Sequence, residues 1–314
     1  MHQAQTQFPF LLCLINARNT NFSTDNEKYT KQEQYFLNLF EIGLFELYEF
    51  LFQYCKDEKH LENWIIDLKG QQFYHQKIEQ FNDWLLNDTV IAQEEIINVL
   101  SKEQIEFWNK NGYLHLKSIV PEKDCDSVVD LICKKLGVDL ADPESWYPVH
   151  EKLQGLMIQL YQGHAIEKNR KNSDVFNVFA QLYSTNKLLA NTEKVSYNPP
   201  ETANFKFKGS SLHWDIDFVA GVRYYIQGLV YLNDVPANRG AFSLVPGYHH
   251  KIQDMLKTCD PAAAIKAIKE TAEITYLAGR KGDLILWLEA IPHAATENNS
   301  DLPRFVQYLS FSKI

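Results

Sequence analysis

The stretch Leu212-His213-Trp214-Asp215, answered much further along by Ile291-Pro292-His293 and then Arg304, decides how this chain is read. Residues i and i+2 of an extended segment point to the same side. His213 and Asp215 can therefore address one ion while Trp214 turns away. His293 must reach them through the fold, from another strand. Two imidazoles and a carboxylate form the facial triad that holds non-heme iron(II). Three protein donors on one face of an octahedral ion leave three positions open. Two suit a chelating 2-oxo acid and one suits dioxygen. Arg304 follows His293 by eleven residues, where a neighbouring strand can aim its planar guanidinium at a carboxylate. A His-x-Asp pair alone is a weak signal. The distant histidine and arginine give it weight.

The surrounding pattern is that of a β-rich core. From Lys194 onward, short apolar runs alternate with Gly and Pro: Val195–Tyr197, Arg223–Leu232, Phe242–Val245, Ile274–Tyr276, Asp283–Leu288 and Arg304–Phe311. Many short strands of this kind predict an α+β fold with a double-stranded β-helix core, the jelly-roll or cupin-like architecture. Helices flank it. Ser101 and Gln104 fit a capping box that opens a helix to Lys110, and Asn111-Gly112 supplies a left-handed exit. His115 lies in an alternating run and reads as a strand side chain. Pro121–Leu136, Val175–Leu189 and Pro261–Glu270 read as further helices.

Residues 1–100 read as a helical extension. Apolar side chains recur at helical spacing between Tyr35 and Phe52, and Leu61–Leu68, Ile78–Leu86 and Asp88–Leu100 follow. The expected division is thus 1–100 for the extension and 101–314 for the barrel. Three roles are open to the extension: covering the barrel, contributing to the substrate mouth, or pairing two copies as a homodimer.

Composition bounds the rest. At 314 residues the chain can hold one large domain with an extension. Its 45% hydrophobic and 23% charged residues are ordinary for a folded protein. A net charge of −9 argues against nucleic acid as a partner and leaves a small molecule as the expected one. The five cysteines, Cys13, Cys55, Cys125, Cys133 and Cys259, are odd in number and widely spaced, which fits a reducing, cytoplasmic compartment. The apolar run Phe8–Ile15 is too short to span a membrane and lacks a basic lead. No P-loop, dinucleotide-binding glycine pattern or nucleophile elbow is present. Tyr197, Trp214, Phe218 and Tyr224 are candidate walls of a substrate pocket. Asp217 shares the face of His213 and Asp215 and is a candidate substrate contact or brace for a ligand histidine.

From Ser101 to the end the chain resembles the phytanoyl-CoA dioxygenase family of Fe(II)- and 2-oxoglutarate-dependent oxygenases. Four segments carry the resemblance, in order and spacing. They are Ser101–Tyr113 with its "NGY" entry, Leu212–Phe218, Tyr231–Pro236 continuing through Arg239–His249, and Gly282–Trp287 through His293 to Arg304. The resemblance implies His213, Asp215 and His293 as iron ligands. It implies Arg304 as partner of the distal carboxylate of 2-oxoglutarate, with O2 as the other co-substrate. There are departures. Tyr248 stands where the family's "PGSH" has serine. Ala295 stands two positions past the last ligand, leaving Thr296 as the candidate hydroxyl contact to the co-substrate. Asn198 stands where many members carry lysine. Related halogenases lack the ligand carboxylate. Asp215 is present, so the expected activity is a hydroxylase: oxidation of a small molecule with release of succinate and CO2. The rival is a non-catalytic cupin-like metal-binding or sensor protein.

Overall fold

The computed structural model describes residues 8–11, 27–87 and 95–314. Two compact units divide them. The first comprises residues 1–94 with Lys187–Thr192 and Ser312–Ile314; the second comprises Glu95–Asn186 and Glu193–Phe311. Cys13 and the expected helix over 88–94 lie outside the described residues.

The first unit is helical: Glu27–Leu39, Leu44–Gln53, Glu58–Lys69 and Gln71–Asn87. Gly70 separates the last two with φ +91, a conformation that costs glycine little. The break after Leu39 falls at Glu41, whose φ of 55 interrupts the helical run. Aromatic rings make the core. Phe8, Phe10, Phe36, Phe40 and Phe81 are all buried, and Tyr35 stacks on Trp84 at 4.1 Å. Each such side chain contributes about 1.5–3 kcal/mol on burial, which is why these aromatics read as packing.

The second unit carries the β-structure: β1 (Tyr113–Leu116), β2 (Leu153–Gln154), β3 (Met157–Ile158), β5 (Val195–Asn198), β6 (Ile226–Tyr231), β7 (Phe242–Leu244), β8 (Thr275–Leu277), β9 (Leu284–Leu288), β10 (His293–Ala294) and β11 (Arg304–Lys313). A short β4 (Leu188–Ala190) falls in the first unit. The larger sheet runs β1-β9-β6-β11-β5-β3-β2 and the smaller β10-β7-β8. The two form a jelly-roll core flanked by helices. Strand β9, Leu-Ile-Leu-Trp-Leu, is buried at every position, as a strand covered on both faces must be.

Two helix expectations are corrected. The helix expected over 175–189 ends at Tyr183, because Ser184 takes a left-handed φ of 54 and caps it. Residues 95–99 are not helical. The Val99 and Leu100 amides both donate to Gln181 Oε1 at 2.8 Å, which substitutes for helical bonding. The capping box at Ser101 and Gln104 is present, as is the left-handed Gly112 exit.

Two glycines in the quoted motifs hold the scaffold. Gly282 has φ +85, and a Cβ there would come within 2.2 Å of the Val120 carbonyl. Next to it, buried Asp283 accepts from the Ser118 and Arg280 amides, Lys117 Nζ and His115 Nε2 at 2.9–3.0 Å. Gly240 has φ +62, and a Cβ there would meet Asn198 Nδ2 at 2.5 Å.

Candidate active site

His213 and His293 form an antiparallel bridge beside β10, which places two imidazoles side by side with ring centroids 4.7 Å apart. Each Nδ1 lies against a backbone carbonyl, His213 on Ser211 at 2.8 Å and His293 on Ile291 at 3.1 Å. A carbonyl only accepts, so Nδ1 carries a proton and Nε2 is the nitrogen left to face Asp215 or, once deprotonated, an ion. Both Nε2 atoms turn toward Asp215, at 3.5 Å from His213 and 3.2 Å from His293. One donor atom from each of the three residues lies within 4.8 Å of the others. Burial tends to raise the Asp215 carboxyl, but hydrogen bonds from both histidines and Gln227 outweigh it and hold the group far below the usual carboxylate range.

Other groups fix this cluster. Phe242 and Trp287 pack on the His293 ring, with centroids at 5.6 and 5.1 Å. Gln227, from β6 in the larger sheet, donates to Asp215 Oδ2 at 2.8 Å. The cluster opens on a cavity of about 370 Å³ between the sheets, lined also by Met157, Tyr308 and Ser310. Sequence reasoning missed Gln227. Its signal was one polar residue inside the apolar run Ile226–Leu232.

Arg304 begins β11 and is 1% exposed. It donates to the Gly240 carbonyl at 2.5 Å and to Ser196 Oγ at 3.3 Å, and its Nε has no partner among the described residues. No carboxylate pairs with it there. A buried guanidinium without an acid is costly, so the geometry fits a ligand carboxylate. Tyr308 lies on the same face of β11 and lines the cavity.

A model of the phytanoyl-CoA dioxygenase (PhyH) family matches residues 108–306. The chain belongs to the phytanoyl-CoA dioxygenase family. Members of this family are iron- and 2-oxoglutarate-dependent oxygenases. A Dictyostelium discoideum protein named as a phytanoyl-CoA dioxygenase is 22% identical over 256 residues, 65% of this chain and 73% of that protein. Two solved structures share the fold. The 2-oxoglutarate-dependent carbocyclase SnoK of nogalamycin biosynthesis has a TM-score of 0.52 at 18% identity, covering 70% of this chain and 86% of its own. EctD of S. alaskensis, with bound iron, has a TM-score of 0.52 at 17% identity, covering 71% and 81%.

Within this family frame, the structure brings together His213, Asp215 and His293 and places the other sequence candidates elsewhere. Thr296 donates its hydroxyl to the Ala241 carbonyl at 2.9 Å, while neighbouring Ala295 lines the cavity. Trp214 turns its indole N–H to the Ala290 carbonyl and packs on Phe218. Asp217 accepts from the Val219 and Ala220 amides in a local turn. Tyr224 accepts from Trp108 and donates to the Leu182 carbonyl. Tyr197 donates to the Trp146 carbonyl and lines an adjoining cavity. His249 and His250 both lie 3.0 Å from the Asn109 carbonyl and brace the loop after β7.

Proposed function

We propose that this protein is an Fe(II)- and 2-oxoglutarate-dependent dioxygenase that hydroxylates a small molecule, releasing succinate and CO2. His213 and His293 through Nε2, and Asp215 through a carboxylate oxygen, hold the iron. One observation carries this reading: three donors lie within 4.8 Å of one another, with both Nδ1 atoms already committed to carbonyls. Iron, 2-oxoglutarate and dioxygen supply the oxidising equivalents when bound. The chain's own residues do the rest. Gln227 orients Asp215 and leaves its own Oε1 unpaired and buried. Arg304 takes the distal carboxylate of 2-oxoglutarate, which would satisfy the guanidinium atom that has no partner. Phe242 and Trp287 keep water from one side of the His293 ring.

Asp215 occupies the position that halogenases vacate, which supports hydroxylation. A silent metal-binding or sensor barrel has no use for a buried arginine that no acid pairs among the described residues. Cys125, Cys133 and Cys259 form no disulfide with any described residue, and no helix among the described residues is long and apolar enough to cross a membrane. The thiols support a reducing, cytoplasmic setting. The test is calorimetry of 2-oxoglutarate on the Mn(II)-loaded chain, with succinate release measured on the Fe(II)-loaded chain. Binding and slow uncoupled turnover are expected. Absence of metal-dependent 2-oxoglutarate binding would overturn the assignment.

A further inference from the structure

A second cavity adjoins the one at the triad. It measures about 150 Å³ and is walled by Trp146, Tyr147, His150, Tyr197, Pro199 and Phe205. An apolar hole of roughly 150 Å³ takes one benzene-sized ring, and flat aromatic walls suit a flat or ring-shaped occupant. Gly155 and Lys208 line both cavities. Gly155 has φ +60, and a Cβ there would meet the Lys208 carbonyl at 2.9 Å. The shared wall is therefore thin because that position carries no side chain.

Lys208 is the charged group at this junction. Its ammonium lies 5.1 Å from the Phe205 ring centroid, and it forms no ion pair with any described residue. Neighbouring Lys206, in contrast, pairs with Glu201 at 3.7 Å. An exposed cation with no acid partner among the described residues, held against an aromatic ring between a ring-sized chamber and the His213–Asp215–His293 cluster, is a place for an anion entering from solvent.

We propose that the substrate is a ring-bearing carboxylate. Its ring enters the aromatic chamber, its carboxylate meets Lys208, and the carbon to be oxidised reaches the cavity at His213, Asp215 and His293. This deepens the oxygenase reading and rests on it for the word substrate. The chamber and its cation stand on their own geometry.

The experiment uses the full chain loaded with Mn(II) and 2-oxoglutarate and titrates three probes by calorimetry: 3-phenylpropionate, its amide, and propionate. The phenyl acid is expected to bind at least tenfold more tightly than either comparison. Lys208→Met should erase its advantage over the amide, Lys208→Arg should keep it, and Phe205→Leu should shrink its advantage over propionate several-fold. Affinity for 2-oxoglutarate should stay unchanged in all three variants. Equal binding of the three probes overturns the proposal. So does a Lys208→Met variant that loses 2-oxoglutarate affinity while keeping the acid-to-amide ratio. Failure of the wild type to bind 2-oxoglutarate counts against the oxygenase reading instead, and the same titration on the metal-free chain still decides the chamber.

Discussion

His213 and His293 exchange both backbone hydrogen bonds, His213 N–H to the His293 carbonyl at 3.0 Å and the reverse at 2.9 Å. In antiparallel pairing this sets side chains directly opposite one another. The two imidazoles are thus held together by main chain, and the cluster is built before any ion arrives. His213→Ala should accordingly leave the fold intact, with a thermal midpoint within a few degrees of wild type. Metal content and succinate release should both be lost. Retention of stoichiometric iron by His213→Ala, measured by elemental analysis, would contradict the ligand assignment.

Gln227 touches Asp215 and carries no charge. Groups that orient a metal ligand in this way are worth about 10–100-fold in affinity or activity. Gln227→Leu should therefore weaken Fe(II) binding by that order while Gln227→Glu changes its pH dependence. Competitive chelator titration reads both.

Arg304 is buried without an acid. Arg304→Met removes an isolated charge from the core, so the metal-free protein should be no less stable than wild type, or slightly more. On the proposed role the same change also removes the charge-assisted contact to 2-oxoglutarate, and it should raise the KM for 2-oxoglutarate by about 30-fold or more. Thermal shifts with and without 2-oxoglutarate separate the two effects. A variant that loses stability and still gains it on adding 2-oxoglutarate would show a purely structural arginine.

Asp283 ties the Tyr113–Leu116 strand to the turn at Gly282. Burial tends to raise its carboxyl, but hydrogen bonds from the Arg280 and Ser118 amides, then Lys117 and His115, prevail and hold it below the usual range. Burial also lowers His115, against the pull of Asp283. Both groups release protons more readily when folded. Their stabilisation is therefore complete above the unfolded values, about 6.5 for His and about 3.9 for Asp, and is lost in turn as pH falls. Asp283→Asn should cost about 2 kcal/mol near neutral pH and flatten the acid limb below about pH 4. Urea melts between pH 3 and 8 measure this, and an unchanged acid limb would argue against it.

Gly282→Ala should destabilise by more than about 2 kcal/mol, because it imposes a left-handed backbone and crowds the Val120 carbonyl. Gly137 also has positive φ, at +70, but open space around its Cβ position. Gly137→Ala should cost only about 1 kcal/mol. Comparing the two midpoints isolates the steric part.

Local pattern carried a great deal. The period-two spacing of His213 and Asp215, the buried run Leu284–Leu288 and the cap at Ser101 are properties of short segments, and short segments obey backbone geometry wherever they sit. The arginine could be chosen because it follows His293 by eleven residues and its planar fork matches a carboxylate. Tertiary structure alone decided which side chains face the cavity. Trp214, Asp217, Phe218 and Tyr224 lie outside regular strands, so no periodicity ties their direction to that of His213. Their hydrogen bonds to Ala290, Val219 and Leu182, and the packing of Phe218 on Trp214, settle it instead. Gln227, Gly155 and Lys208 come together only when β6, the turn between β2 and β3 and the approach to His213 converge. Such meetings depend on how two sheets close over each other, and no window of a linear sequence contains them.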